Sequence, residues 1–218
     1  MAPYAIAHMK IGIKLYETGY RFKSKERARI YLTNALEPPS DIQAELEVVS
    51  PALAHEAKAV NEIKRHKRFT VVIGNPPYAG DSLNPSIDTA KRLTFIGRLI
   101  EDYKLINGIQ IPDKNLKGLQ DDYVKFFRYA QWVLDATDLG VLGYVTNHAY
   151  LDASTFTGFR KSLMESFNSL QLLDLHGCEI RPHTQLAKIS LVVGNIGKVT
   201  DRILASNLPC SLLAVHHV

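Results

Sequence analysis

Residues 69–73, Phe-Thr-Val-Val-Ile, form an almost continuous β-prone run that closes at Gly74 and is followed at once by Asn75-Pro76-Pro77-Tyr78. A strand apolar toward both faces belongs in a covered parallel sheet, and open α/β sheets bind ligands beyond the carboxyl ends of their strands. The tetrapeptide therefore stands where chemistry is done. Two consecutive prolines set φ at both positions and remove two N–H donors. What remains is a stiff corner that presents carbonyl oxygens beside an amide side chain and an aromatic face. Such a corner suits an amine that must be held without being protonated, on a flat ring that can stack. The plainer alternative is a diproline turn that ends a strand, with Tyr78 as a rim aromatic.

The flanking periodicity supplies the rest of the sheet. Tyr123, Phe126, Phe127, Ala130, Val133 and Leu134 fall at helical spacing behind a start at Asp121 and Asp122. Residues 141–146 read as a strand, Ser154 and Thr155 cap a helix through Phe156, Phe159, Leu163 and Phe167, and residues 170–175 read as another strand. Strand, helix, strand, helix, strand argues for right-handed crossovers in an open, mostly parallel, doubly wound α/β sheet.

Upstream, residues 2–16 predict a helix with two apolar stripes, Ile6, Met9, Ile13 and Tyr16 beside Tyr4, His8, Ile11 and Leu15, which implies packing on two sides. Residues 29–33 predict a short strand. Ser50 and Pro51 open a helix that carries Leu53, Ala57, Val60 and Lys64 on one face. Between residues 79 and 118 the pattern predicts loop, with a short helix around 90–104.

Composition excludes several classes. The 218 residues carry 26 Lys+Arg against 22 Asp+Glu, and 46% are hydrophobic, enough for one substantial core. No apolar run approaches the ~20 residues of a membrane span, and the N-terminus lacks the pattern of an export signal. Two cysteines, Cys178 and Cys210, make neither a disulfide scaffold nor a CxxC pair, so a cytoplasmic location is expected. A pI near 9.0 is compatible with a polyanionic partner.

VVIGNPPY resembles motif IV of the N6-adenine DNA methyltransferases, although NPPY also occurs in glutamine N5-methyltransferases and some RNA methyltransferases. The strings APYAIAHMKIGIKL, RARIYLTNALEPP, DDYVKFFRYAQWVLD and GYVTNHAYLDASTFTGFRKSLMESFNSLQLLDLHG resemble the methyltransferase portion of type ISP restriction-modification enzymes, over roughly residues 2–177. The resemblance implies a Rossmann-like methyltransferase fold in which S-adenosylmethionine donates a methyl group to N6 of an adenine flipped out of double-stranded DNA. It further implies that Asn75 and the Pro76 carbonyl accept hydrogen bonds from the amine, with Pro77 completing the corner and Tyr78 stacking on the base. Asn75 would also touch the cofactor, and Asn34 matches a position that contacts the cofactor's adenine, with a turn-forming Asn as the equal alternative. Nuclease, helicase or target-recognition modules are implied as companions.

Departures from the family pattern set further expectations. The family's glycine-rich cofactor loop and its ribose-binding acidic residue belong upstream of the first helix, and Thr70 stands where an acidic residue is frequent. Residues 1–177 are therefore expected to be a partial catalytic domain, incomplete at its N-terminus, and 178–218 an atypical tail of a truncated or disrupted gene product. A catalytically inactive fragment and a glutamine N5-methyltransferase are the alternatives, and weak or absent cofactor binding by the isolated chain is expected.

Other candidates read as structural. Gly194 to Lys198 is a strand-to-helix turn, and His176, His183 and Cys178 lack metal-ligand spacing, so no metal is expected. Asn147 and His148 are a turn pair or a substrate contact at a strand end. The basic run 64–68, Tyr103 with Lys104, and Lys114 with Lys117 are surface residues or phosphate contacts. His216 and His217 are a short tail.

Overall fold

The computed structural model describes residues 2–24, 26–39, 51–77, 82–112, 116–174, 189–196 and 212–216. The chain divides into two compact units, Met1–His66 and Lys67–His217.

The first unit holds helices α1 (Ala2–Glu17) and α2 (Pro51–His66). Tyr4 Oη donates to Glu56 Oε1 at 3.0 Å, and Arg27 donates both to Tyr4 Oη and to Glu56 Oε2 at 2.9 Å, so one ion pair ties the segment after α1 to both helices. The expected two-sided packing of α1 is not found: Ile6, Met9, Ile13 and Tyr16 are 47%, 58%, 53% and 62% exposed. Only the Tyr4, His8 and Leu15 side is half-buried, because α2 and the Arg27 segment meet that side. Residues 29–33 form no strand. A β-prone run becomes one only when a neighbour completes its ladder, and the described residues of this unit include no second strand. Ser50 lies outside the described residues.

The second unit is built on a sheet in the order β5-β6-β4-β1-β7. Its strands are β1 (Val71–Asn75), β4 (Gly140–Asn147), β5 (Ser169–Asp174), β6 (Ile189–Ile196) and β7 (Leu212–His216). β1 pairs in parallel with β4 and β7, while β6 runs antiparallel between β4 and β5, so four of the five strands share one direction. Two sequence expectations change here. Gly194 and Asn195 lie inside β6, opposite Leu142 and Val141, rather than in a strand-to-helix turn. His216 ends a sheet strand in register with Asn75 and is no loose tail. Both corrections share a cause: β6 and β7 pair with residues far away in sequence, which local pattern does not reveal.

Helix α4 (Asp122–Leu134) organises the unit's core. Phe127 meets Tyr144 of β4 edge-on at 5.2 Å and Phe159 of α5 (Thr157–Ser166) at 5.3 Å. Along β4, Leu142, Tyr144 and Thr146 are fully buried on this side, as is Val72 of β1. The opposite face is not covered as expected, since Ile73 is 50% and Val141 38% exposed. The helix itself is buried nearly all round. Its second side receives α3 (Phe95–Ile100), where Arg128 Nε donates to the Leu99 carbonyl at 3.1 Å and Phe95 packs edge-on against Trp132 at 5.1 Å.

The segment expected to be loop is more ordered than its composition implies. Thr94 caps α3 by accepting the Gly97 N–H, so the helix starts at Phe95 rather than near residue 90. After a 3-10 turn (Glu101–Lys104) come the two-residue strands β2 (Leu105–Ile106) and β3 (Ile109–Gln110), joined by Asn107-Gly108 with both φ values positive, the chemistry of a tight hairpin. Tyr103 is completely buried, which removes it from any DNA-facing surface. It donates to Gln131 Oε1, and Gln131 Nε2 donates to the Ser162 carbonyl (3.2 Å) and Ser166 Oγ (2.8 Å), joining α4 to α5 through the core.

A Cβ on Gly158 would lie 2.2 Å from the Tyr103 carbonyl, whereas one on Gly12 in α1 would meet nothing within 4 Å. Gly158→Ala should therefore destabilise by about 1–3 kcal/mol, in the range of overpacking. Gly12→Ala should be neutral or stabilise by about 0.5–1 kcal/mol through helix propensity. Denaturant unfolding of the two variants checks the contrast, and equal effects would contradict it.

Candidate active site

The site is built where β1 and β4 end together. Their parallel register sets Gly74 opposite Tyr144, and β7 adds His216 beside Asn75, so the carboxyl ends of three strands share one edge of the sheet. Asn75 is the last residue of β1. Its side chain is exposed and joined by no hydrogen bond to the described residues, while Pro76 is buried and Pro77 half-buried. Burial of Pro76 anchors the corner, and exposure of Asn75 leaves its carboxamide open to a ligand. Tyr78 lies outside the described residues.

The residues from Ser82 on are held by Asp122, which the sequence marks only as a helix start, and by Lys125, which the helical periodicity does not mark. Ser82 Oγ donates to Asp122 Oδ1 at 2.6 Å and accepts from Lys125 Nζ at 2.7 Å and from the Asn84 N–H at 3.1 Å, which uses its one proton and both lone pairs. Asp122 Oδ2 accepts the Leu83 N–H at 3.1 Å, and Lys125 Nζ also donates to the Asn84 carbonyl at 2.6 Å. Asp122 and Lys125 are 3% and 1% exposed. Burial lowers the Lys125 pKa, while Asp122 and then Asp121 work to raise it. A sequence signal did exist: opposite charges three apart, flanking Tyr123 and Val124 at the head of an aromatic helix.

The loop after β4 is pinned in the same way. Asn147 Oδ1 accepts the Ala149 N–H at 2.8 Å, which is the turn role expected of it, and Arg160 of α5 donates to the carbonyls of Tyr150 (2.7 Å) and Ala153 (2.8 Å). Beneath it Tyr123, Tyr150, Phe156 and Phe159 form a contiguous aromatic group.

Asn34 belongs to the first unit. Its Oδ1 accepts the Leu36 N–H at 3.0 Å and its Nδ2 donates to Glu37 Oε1 at 3.1 Å, so it shapes a turn. Lys64 braces that turn by donating to the carbonyls of Asn34 and Glu37 at 2.8 Å, whereas Arg65, Lys67 and Arg68 are exposed. Lys104 pairs with Glu101 at 2.6 Å, and Lys117 is exposed. Lys114, His176, Cys178 and His183 lie outside the described residues. Among the described residues, no group of three or more His, Cys, Asp or Glu could hold a metal.

A largely parallel α/β sheet thus carries an exposed amide and a buried proline at its shared carboxyl edge, the edge at which open α/β sheets bind ligands. The chain belongs to the Eco57I restriction-modification methylase family, whose profile matches residues 4–180. No curated protein matches it. Among solved structures, it resembles a nuclease-deletion mutant of the Type ISP restriction-modification enzyme LlaGI bound to a DNA substrate mimic, at 21% identity and TM-score 0.66 over 91% of this chain and 17% of that one. It also resembles DrdV in a DNA complex (24%, TM-score 0.65, 98% of this chain and 20% of that one) and the ATP-dependent Type ISP enzyme LlaBIII bound to DNA (19%, TM-score 0.60, 99% and 14%). The chain thus spans a fifth or less of the length of these structures.

Asp121, half-buried at the head of α4, is pushed up to about 6 by its burial, with Lys125 opposing the rise and Asp122 adding to it. A carboxyl that titrates higher in the folded than in the unfolded chain binds protons on folding, so stability falls as pH climbs from 3.8 to about 6. Asp121→Asn should flatten that decline and be more stable than the parent at neutral pH. Thermal midpoints at about pH 4 and pH 7 test this sign; identical pH dependence in both proteins would contradict it.

Proposed function

We propose that the chain is the catalytic segment of an adenine-specific DNA methyltransferase in a restriction-modification enzyme, acting on N6 of an adenine flipped out of double-stranded DNA. The observation that carries this reading is the corner at the end of β1, where an exposed Asn75 carboxamide is followed by a buried Pro76 and a half-buried Pro77. The parallel β1–β4 and β1–β7 pairs support a Rossmann-like frame. The methyl donor proposed is S-adenosylmethionine, which supplies a methyl group on a positively charged sulfur.

Asn75 Oδ1 and the Pro76 carbonyl accept the two N–H bonds of the exocyclic amine. Those contacts draw the nitrogen lone pair out of conjugation with the ring and aim it at the carbon to be transferred. Because both prolines hold their φ angles, the acceptors need little reorganisation when the amine acquires charge, which is catalysis by positioning and electrostatics. Tyr78 stacks on the base face. Asn75 fits a second contact toward the cofactor, since its carboxamide is exposed. Asn34 is the other proposed cofactor contact, its carboxamide oriented by Leu36 and Glu37.

The proposed catalytic segment spans residues 1–177, with 178–218 adding β6 and β7 to the sheet. Double-stranded DNA is the proposed partner, with nuclease, helicase or target-recognition modules in the parent enzyme. No helix of the described residues is long and apolar enough to cross a membrane, and a cytoplasmic location is proposed.

Transfer of labelled methyl groups to duplex DNA by the parent enzyme tests the reading. Label should appear as N6-methyladenine, and Asn75→Ala should lower kcat by about 10²–10³-fold, as removal of one preorganised polar contact does elsewhere. Tyr78→Ala should also cut transfer sharply. Label on a protein glutamine, or transfer indifferent to Asn75, would overturn the assignment.

A further inference from the structure

The buried polar knot at the head of α4 is not accounted for by stability. Burying an ammonium and a carboxylate is expensive, and well-packed apolar replacements are frequently as stable or more so. What the knot does accomplish is local and geometric. Through Ser82 Oγ, the Leu83 N–H and the Asn84 N–H and carbonyl, it binds three consecutive residues to a helix. The first of those residues stands five positions beyond Pro77. The chain from Pro77 to Ser82 can span no more than about 18 Å even if fully extended, so fixing Ser82 limits where the diproline corner can go. The near end is fixed independently, by the ladder that holds β1 between β4 and β7.

We propose that Ser82, Asp122 and Lys125 are positioning residues for the Asn75–Pro77 corner, a clamp that holds the chain beyond it against α4 so that the amine-accepting oxygens keep one geometry. The inference rests on the reading that this corner holds the amine. Ser82 is the joint of the clamp, since its single hydroxyl links the carboxylate, the ammonium and the loop backbone. The role differs from that of the Tyr103, Gln131 and Ser162 network, which joins α4 to α5 and reaches no strand-end loop.

Ser82→Ala in the parent enzyme removes the joint with little change in volume, and Ser82→Thr restores the hydroxyl. Hydrogen exchange of peptides covering residues 74–84 should accelerate about tenfold in Ser82→Ala, the size of one lost hydrogen bond, while peptides from the middle of α4 keep parent-like protection. Methyl transfer to duplex DNA should lose about tenfold in kcat with KM for DNA within about twofold, the signature of an interaction that orients rather than binds. Ser82→Thr should recover both. Lys125→Met should repeat the exchange effect if it folds, and the serine pair decides the matter if it does not. Unchanged exchange in Ser82→Ala, or faster exchange with unaltered kcat, overturns the clamp. A parent enzyme that places no methyl group on adenine overturns the reading of the reaction instead, and the exchange comparison still decides whether the loop is clamped.

Discussion

The second unit depends on a helix that has almost no solvent face. With α4 buried on the sheet side by β4 and on the other side by α3 and the loop after β1, its polar residues have nowhere to go but into the protein. Its charged and amide side chains reach three neighbouring segments: Asp122 and Lys125 take Ser82–Asn84, Gln131 takes Tyr103 and α5, and Arg128 takes the Leu99 carbonyl and Asp102. Apolar packing alone tolerates sliding and repacking. Buried polar groups do not, since a slipped register leaves donors and acceptors unpaired. The aromatic contacts supply the gross stabilisation of this core, and the polar ones specify its alignment.

That alignment matters because the candidate chemistry sits on loops. The corner after β1 and the turn after β4 rise from the same edge of the sheet; Ser82–Asn84, beyond the first, are tied to α4 by Asp122 and Lys125, and the second is tied to α5 by Arg160. Loops that carry function are usually the mobile part of a fold. Here bonds from helix side chains, to Ser82 Oγ and the loop backbone in one case and to backbone carbonyls in the other, do the work that a strand ladder does elsewhere. A reaction that relies on two oxygens meeting one amine has little use for a loop that samples many shapes.

The structural relatives place these features in context without enlarging the chain. The fold of this chain, matched over 91–99% of its length, recurs as 14–20% of each of these much longer chains. The exposed Ile73 and Val141 on the outer face of the sheet, and the exposed stripe of α1, are apolar surfaces that this chain alone leaves bare.

The diproline corner and its strand were legible from the residues because they are local: β-branched residues favour an extended backbone and proline needs no distant partner to fix φ. The amphipathic start of α4, the strand after it and the family resemblance were legible for the same reason. Other elements depended on contacts that local pattern does not encode. Residues 29–33 carry strand propensity without a strand beside them, Gly194 is absorbed into β6 because Leu142 and Leu170 lie on either side of it, and His216 becomes a strand end because β1 offers it an edge. The clamp belongs to this second kind. Propensity and periodicity determine what each segment can become, but only the folded chain brings a serine at position 82 between an aspartate and a lysine some forty residues away, where exclusion of water makes their mutual bonds obligatory.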